Sequence, residues 1–446
     1  MNTQAENEEV VVVGLGYVGL TLAAHLASIG MNVYGVEIRD LVLSNLREKR
    51  SFFLEENLDE ILKKVIEDNK FSFGESIPRK TGRRIFIITV GTPLTESLKP
   101  NLDFIKRASI EVANAINDFD LIILRSTVRL GVTNQVVRKI LESSNKKFSL
   151  AFCPERTLEG AALKEISLLP QIIGADNLID LERARIFFKK ITSTVVPVSN
   201  IETAEMIKMV DNMQRDTHFA ISNEVARMCN QVNVKASEVI SAGKINYPRT
   251  NLPTPGPVGG PCLEKDTYLL NDSFKMSFSL SLMARKINEL IVEDSVSYFI
   301  DYFRARILDK DLPLKIALIG LAFKGVPETN DLRGSVAIRI INSIKIQLPN
   351  VSIIGFDSVV SEPDVLSLGI ANAKSLMEAF EKSDLVLLVN NHPIIKSIDL
   401  GFYASNMNPG GMIYDYWGRF DDNELLLNNI KSVSWGSHKP TENLNE

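Results

Sequence analysis

Glu9-Val10-Val11-Val12-Val13-Gly14-Leu15-Gly16-Tyr17-Val18-Gly19 decides the fold of this 446-residue chain. The run up to Val13 is apolar and β-branched, which reads as a strand. From Tyr17 to Ile29 the apolar residues take helical spacing instead. Between strand and helix, Gly14 permits a tight turn and Gly16 lets the backbone approach a pyrophosphate. Gly19 lets helix and strand pack closely, and the helix N-terminus, at Tyr17 and Val18, faces the anion. The glycine spacing alone is weak. It is strengthened by the strand before it, the helix after it, and Glu37 at the end of a second strand candidate, Asn32–Glu37, about 20 residues on. A carboxylate there accepts hydrogen bonds from a ribose diol and repels a 2′-phosphate, so NAD is favoured over NADP, with Arg39 beside it arguing the other way. A glycine turn that holds no ligand is the competing reading.

Working outward, Arg84–Val90, Leu121–Arg125, Phe148–Cys153 and Gln171–Gly174 read as buried strands, with helical patterns at Asp103–Asn117 and Leu181–Lys190. Such alternation implies a largely parallel sheet covered on both faces. Thr92 and Thr127 each lie just past a strand, on the edge where sheets of this kind bind ligands. From Ile201 to about Asn233 the pattern becomes one long helix, and a second helical stretch covers Ser279–Arg306. A Pro/Gly-rich loop, Tyr247–Pro261, lies between them. After a hinge at Asp309–Pro313, strands resume at Leu314–Gly320, Val351–Asp357, Leu385–Asn390 and Met412–Tyr414, and a polar tail begins near His438. The fold class is therefore α/β: two Rossmann-like doubly wound domains, 1–200 and 311–446, joined by a central helical domain, 201–310.

A chain of this length exceeds the usual size of a single core. Its formal charge of −5, without a basic stripe, argues against nucleic acid as a partner. Three sparse cysteines make no disulfide framework and suggest a reducing compartment. The acidic start lacks the features of a signal peptide, and no apolar run is long enough to span a bilayer. The expectation is a cytoplasmic protein with no membrane contact. The four histidines have no metal-ligand spacing, so no zinc site is expected.

Three segments carry reactive side chains. Lys208, Asn212 and Arg215 have i, i+4, i+7 spacing and share one face of the long helix. A solvated polar face is the ordinary reading of such a triple. Met206, Ile207, Met209, Val210 and Met213 around it point instead to a mostly buried helix, in which a desolvated Lys208 suits proton transfer. Cys153-Pro154-Glu155-Arg156-Thr157-Leu158-Glu159 follows a strand. Glu155 or Glu159 could position a water there, although each alone is more often a surface charge. In Gly259-Gly260-Pro261-Cys262-Leu263-Glu264-Lys265-Asp266 the thiol follows glycines in a loop, and Lys265 favours its thiolate. A thiolate adds to an aldehyde to give a thiohemiacetal, which can itself yield a hydride and leave a thioester for water to cleave. An inert loop cysteine is the alternative. Cys153, on an apolar strand, and Cys229, on a helix, read as small core residues.

Taken together these motifs resemble the nucleotide-sugar 6-dehydrogenase family, the UDP-glucose/GDP-mannose dehydrogenases. The likeness spans nearly the whole chain: the Gly14–Gly19 turn, Ser126-Thr127-Val128, Pro154-Glu155-Arg156, the long helix and the Cys262 loop. It continues through Gly320-Leu321-Ala322-Phe323-Lys324 and Asn330-Asp331-Leu332-Arg333-Gly334-Ser335. The resemblance implies that the N-terminal domain binds NAD, the C-terminal domain binds the UDP part, and the central helices form a homodimer. By the same resemblance Cys262 is the nucleophile and Lys208 the general base, while Asn212 and Asp266 support the oxyanion and water. Thr127 and Glu159 lie near the nicotinamide and the hydrolytic water. Lys265 and Arg333 contact the cofactor, and Phe323 and Lys324 the substrate.

Arg156 after Pro-Glu, the run Asn246–Asn251 and Arg215 resemble the UDP-N-acetylglucosamine/UDP-N-acetylmannosamine branch. That likeness adds Glu155, Arg156, Thr157, Arg215, Tyr247, Arg249 and Gly259 to the expected substrate contacts. The implied activity is a four-electron oxidation of a sugar C6 alcohol to the acid, using two NAD and one water, with capsule or other surface polysaccharide as the product's destination. Three rivals stand: a UDP-glucose 6-dehydrogenase, a two-electron hydroxy-acid dehydrogenase with Cys262 inert, and a catalytically silent nucleotide-sugar-binding subunit.

Overall fold

The structure is a computed structural model and describes residues 8–232, 234–274, 276, 278–308, 313–348, 350–420 and 429–437. The expected hinge, apart from Pro313, and the tail from His438 lie outside the described residues. The chain divides into two compact units, Met1–Asn212 with Lys265–Ser277, and Met213–Glu264 with Phe278–Glu446.

In the first unit, β1 (Glu9–Val13), β2 (Val33–Val36), β3 (Phe71–Gly74), β4 (Arg84–Ile88), β5 (Asp120–Leu124), β6 (Phe148–Phe152), β7 (Gln171–Gly174) and β8 (Val195–Val198) form one sheet. Its order is β3-β2-β1-β4-β5-β6-β7-β8. All neighbours pair in parallel except β6 and β7, which meet antiparallel at Phe152 and Gly174. Val10 and Val12 enter one core with Leu20 and Leu26, while Val11 and Val13 enter another with Phe86 and Ile88. Burial on both faces is why β1 is a continuous apolar run rather than an alternating one. Strand order reverses at β1 and β4, whose ends lie level through the register Val13↔Ile88. A crevice for ligands opens beyond the strand ends at such a reversal.

The second unit holds β9 (Leu314–Ile319), β10 (Val351–Phe356), β11 (Ala371–Asn372), β12 (Leu385–Leu388), β13 (Met412–Asp415) and β14 (Lys431–Ser434). They are ordered β11-β10-β9-β12-β13-β14 and paired in parallel, with the reversal between β9 and β12. The long helix is Ile201–Val232, continuous over 32 residues. The second expected helix is shorter than its pattern suggested. It runs Leu280–Tyr302, capped at its start by the Ser279 hydroxyl, and Phe303 separates it from a short turn of helix at Arg304–Leu308. Four strands had no clear sequence signature: β3, β8, β11 and β14. Each is an edge strand.

Candidate active site

The turn after β1 is built as its glycines require. Gly14 has φ +94°, and a Cβ there would lie 2.9 Å from the Val90 side chain. A Cβ on Gly19 would come 1.9 Å from the Gly14 carbonyl oxygen, so helix and turn touch backbone to backbone. The Thr89 hydroxyl donates to the Gly14 carbonyl at 2.7 Å and fixes the turn from β4. A Cβ on Gly16 would meet only Arg39 Nη2, at 3.8 Å. The helix that follows, Tyr17–Ser28, has no side-chain cap and no acidic residue in its first turn. Open backbone at Gly16, at the N-terminus of a helix without a side-chain cap, fits the pyrophosphate of NAD.

Glu37, just beyond β2, is buried and reaches back to this turn. Its Oε2 accepts from the Leu15 N–H at 3.2 Å, and Oε1 from the N–H groups of Ile38 and Arg39 at 2.9 and 3.0 Å. Arg39 folds onto it, with Nη2 2.7 Å from Oε2 and Nε 3.1 Å from Oε1. Burial opposes the charge on Glu37, but Arg39 and the backbone donors outweigh it and hold the carboxyl below its usual range. The guanidinium that argued for a 2′-phosphate is thus engaged by the carboxylate that argues against one.

Five expected site residues meet in one hydrogen-bonded chain within the first unit. Asn212 Nδ2 donates to Asp266 Oδ2 at 2.5 Å, and Lys265 Nζ donates to Asp266 Oδ1 at 2.8 Å. Lys265 also donates to the Thr92 hydroxyl at 3.4 Å, which donates to the Thr127 carbonyl at 2.5 Å. Thr92, Asn212 and Asp266 are buried, while Lys265 and Thr127 are half-buried. The path therefore runs from the strand ends that carry Thr92 and Thr127 to the long helix.

Other residues of this unit correct the sequence reading. Lys208 is half-buried rather than enclosed, because the helix around it is only partly covered and Val210 is exposed. Of its expected companions on that face, Asn212 is buried and Arg215 exposed. Glu155 is not a surface charge. It is buried against Arg125, whose Nε and Nη2 lie 2.8 and 2.5 Å from Oε2, and its Oε1 accepts from the N–H groups of Arg156 and Thr157, both at 2.8 Å. Burial opposes ionisation of Glu155, but Arg125 and the N–H of Thr157 prevail and pull the carboxyl down. Its side chain shapes the loop instead of reaching for a water. Glu159 is half-buried further along the loop. Arg156 donates to the Pro170 carbonyl at 2.9 Å and lies 3.4 Å from Asp211 on the long helix.

Sequence reasoning passed over Arg125, which also donates to the Cys153 carbonyl and to Gln171. It also missed Glu205, one helical turn before Lys208, which accepts from the Gly131 N–H at 2.6 Å and from the Thr133 hydroxyl at 2.6 Å. Burial raises the Glu205 carboxyl above its usual range, with the Thr133 hydroxyl and N–H opposing it. The available signal was a carboxylate set directly among the apolar residues Ala204, Met206 and Ile207. Cys153 is buried in the core of this unit, and burial pushes its thiol up.

In the second unit Cys262 is exposed and directly precedes the helix Leu263–Asp272, while Cys229 is buried in the core. Gly260 has φ +101° and packs so tightly on Phe323 that a Cβ would lie 2.7 Å from its ring. A Cβ on Gly259 would lie 2.3 Å from the Gly334 carbonyl oxygen. The glycine pair therefore sits on the two segments expected to contact substrate and cofactor. Lys324 Nζ lies 5.3 Å from the centre of the Phe323 ring. Arg333 is exposed and its Nη2 pairs with Asp331 at 2.7 Å. Tyr247 and Arg249 are exposed and lie against each other, with Nε donating to the phenol at 3.1 Å.

At the switch point of this sheet, Asp357 accepts from the N–H groups of Leu321 and Ala322 at 2.6 and 3.1 Å, as Glu37 does from Leu15 in the first unit. His392 accepts from the Ile394 N–H at Nδ1. Its Nε2 lies 2.6 Å from Glu328 and 3.0 Å from the Ser358 hydroxyl. Glu328, Ser358 and His392 lie 30 or more residues apart in the chain, so no local spacing marks this cluster.

An open glycine turn at the reversal of a doubly wound sheet, with a carboxylate closing the neighbouring strand, is the dinucleotide-binding site that NAD-dependent dehydrogenases carry. The chain belongs to the UDP-glucose/GDP-mannose dehydrogenase family. It matches that family's NAD binding domain over residues 8–192, its central domain over 202–290 and its UDP binding domain over 317–422. A UDP-N-acetyl-D-mannosamine dehydrogenase of Pyrococcus horikoshii is 30% identical over 395 residues, covering 87% of this chain and 91% of the relative. One from Campylobacter jejuni is 30% identical over 404 residues, covering 86% and 95%. The solved structure of UDP-D-ManNAc dehydrogenase from Pyrococcus horikoshii superposes with a TM-score of 0.86 at 28% identity, over 97% of this chain and all of that one. This protein is thus an NAD-dependent nucleotide-sugar dehydrogenase. Among the described residues no helix is long and apolar enough to cross a membrane.

Proposed function

We propose that this enzyme oxidises the C6 alcohol of a UDP-N-acetylhexosamine to the uronic acid in two steps, with Cys262 as the covalent anchor. The observation that carries the reading is the state of the three thiols: Cys153 and Cys229 are buried in cores, whereas Cys262 stands exposed at the end of a glycine-built loop. The relatives named for UDP-N-acetyl-D-mannosamine support the choice of sugar.

NAD, held by the Gly14–Gly19 turn and Glu37, supplies the hydride acceptor once for each oxidation. Lys208 takes the proton of the C6 hydroxyl in the first. The Cys262 thiolate then adds to the aldehyde carbon, and the thiohemiacetal oxygen gains a proton. Holding the aldehyde covalently keeps a reactive intermediate from escaping. Loss of the second hydride and of the hydroxyl proton leaves a thioester. Water activated beside Asp266 and Thr127 attacks it, the C–S bond breaks, the thiolate is regenerated and the uronate carboxylate forms, with the two protons of the water passing to solvent. Lys208 and Asn212 stabilise charge on the oxygen.

Phe323, Lys324 and Arg249 take the UDP part, with the two cations suited to its diphosphate. In this reading 1–200 binds NAD, 201–310 supplies the catalytic helix and a homodimer contact, and 311–446 binds UDP. The enzyme works in the cytoplasm and feeds polysaccharide synthesis.

The test is NADH production from a panel of UDP-sugars, with product mass measured. Two NADH per uronate are expected, and Cys262→Ser should stall before acid release. One NADH with a keto product, or undiminished acid from Cys262→Ser, would overturn the reading.

A further inference from the structure

The loop that delivers Cys262 is held by side chains that the chemistry above does not use. In the second unit the Ser222 hydroxyl donates to the Pro253 carbonyl at 2.8 Å. Asn223 brackets Gly256, accepting from its N–H at 2.8 Å and donating to its carbonyl at 3.1 Å. Farther along, two guanidinium groups converge on one carbonyl: Arg285 Nη2 and Arg339 Nη2 donate to the Val258 oxygen at 3.1 and 3.0 Å. Both arginines are themselves anchored. Arg285 is buried and pairs with the buried Asp216 at 3.0 Å, and Asn288 donates to Asp216 at 2.8 Å. Arg339 Nη2 also lies 3.5 Å from Glu264 Oε1. It therefore touches the chain four residues before the thiol and two residues after it.

A carbonyl needs one donor. Two cationic donors on the same oxygen, Arg285 buried and Arg339 half-buried, are costly unless something is gained from their placement. Between Val258 and Cys262 the chain is Gly259-Gly260-Pro261, held midway where the Gly260 N–H donates to the Gly334 carbonyl at 2.8 Å. Two residues without a Cβ keep backbone freedom on either side of that single bond, so the fixed points at Val258 and Glu264 decide where the thiol stands. We propose that Arg285 and Arg339 are positioning residues for Cys262. They act through the Val258 carbonyl, and Arg339 also acts through Glu264, to keep the thiol at the start of the helix Leu263–Asp272. The inference rests on Cys262 being the reacting thiol, but its test reads the thiol directly and requires no turnover.

The experiment follows the rate at which iodoacetamide alkylates Cys262 at pH 7 in the full-length protein, with Cys262→Ser giving the background from the two buried thiols. Arg339→Met should slow alkylation about tenfold, because the thiolate is the form that reacts and a thiol that leaves the helix N-terminus loses the field that favours it. Arg339→Lys, which keeps the charge facing Glu264, should recover most of the rate. NAD affinity, measured by protein fluorescence, should stay within about twofold, since the glycine turn is untouched. In turnover kcat should fall while KM for the UDP-sugar holds.

A folded Arg339→Met protein that alkylates as fast as the parent overturns the inference. If that variant does not fold, Arg285→Lys, which keeps a cation for Asp216 but loses the guanidinium fork, decides by the same measurement. Active Cys262→Ser would instead remove the nucleophile and leave the alkylation result standing.

Discussion

Both oxygens of Glu37 are engaged, and only the contacts from Arg39 involve an exposed side chain. A ribose diol reaching Glu37 competes with that guanidinium, while the backbone donors from Leu15, Ile38 and Arg39 remain. Cofactor choice therefore depends on the pair and not on the acid alone. Glu37→Gln removes the charge that repels a 2′-phosphate and releases Arg39 toward it. The ratio of kcat/KM for NADP to that for NAD should rise about 10–100-fold, the worth of one charge-assisted hydrogen bond. Adding Arg39→Leu should bring NADP use back down. An unchanged ratio in Glu37→Gln would place the adenosine ribose elsewhere. The residue types at this site were legible because glycine spacing and a strand-ending carboxylate are local features. The ion pair was not legible: Arg39 two residues after Glu37 is equally compatible with pointing away.

At the scale of elements, the strands missed in the sequence share one property. β3, β8, β11 and β14 are edges, covered on fewer sides than β1, β4, β5 or β12, so no continuous apolar run marks them. Pro197 within β8 is tolerated for the same reason, since an edge strand leaves one side of its ladder unused.

The loop after β6 takes its shape from a residue outside it. Pro154-Glu155-Arg156 stood out in sequence, yet the role of Glu155 is set by Arg125 at the end of β5. Removing one member of such a buried pair costs about 3–5 kcal/mol, whereas replacing both costs less. Arg125→Gln and Glu155→Gln should each lower the urea midpoint strongly, and the double variant by less than their sum. Since the folded-state carboxyl of Glu155 titrates below its unfolded value, its contribution is complete at neutral pH and disappears as pH falls through the folded value. The midpoint gap between the parent and Glu155→Gln should thus be full at pH 7 and close below about pH 4. A gap that persists in acid would mean that packing, not charge, explains it.

At the scale of the whole molecule, two sheets repeat one plan. Each reverses strand order at its first strand, and each holds the turn after that strand with a carboxylate from the next, Glu37 in one unit and Asp357 in the other. The long helix adds something neither sheet has: Ile221, Met228 and Val232 follow one another along it at helical spacing and are exposed. Covering that stripe with a second copy fits the proposed homodimer. Met228→Glu should then shift the sedimenting species from dimer to monomer, while a parent protein that sediments as a monomer at micromolar concentration removes the dimer.

The order of residues along the chain is enough for whatever depends on near neighbours. It set the turn at Gly14, the alternation of strand and helix, the 32-residue helix, and the presence of a thiol, a lysine and an amide of suitable chemistry. Tertiary structure alone decided which groups meet. Arg125 finds Glu155 across 30 residues, and Arg339 finds Val258 across 81. Periodicity reports which face of an element is buried, but a buried charge or carbonyl takes its partner from whichever element the fold packs against it.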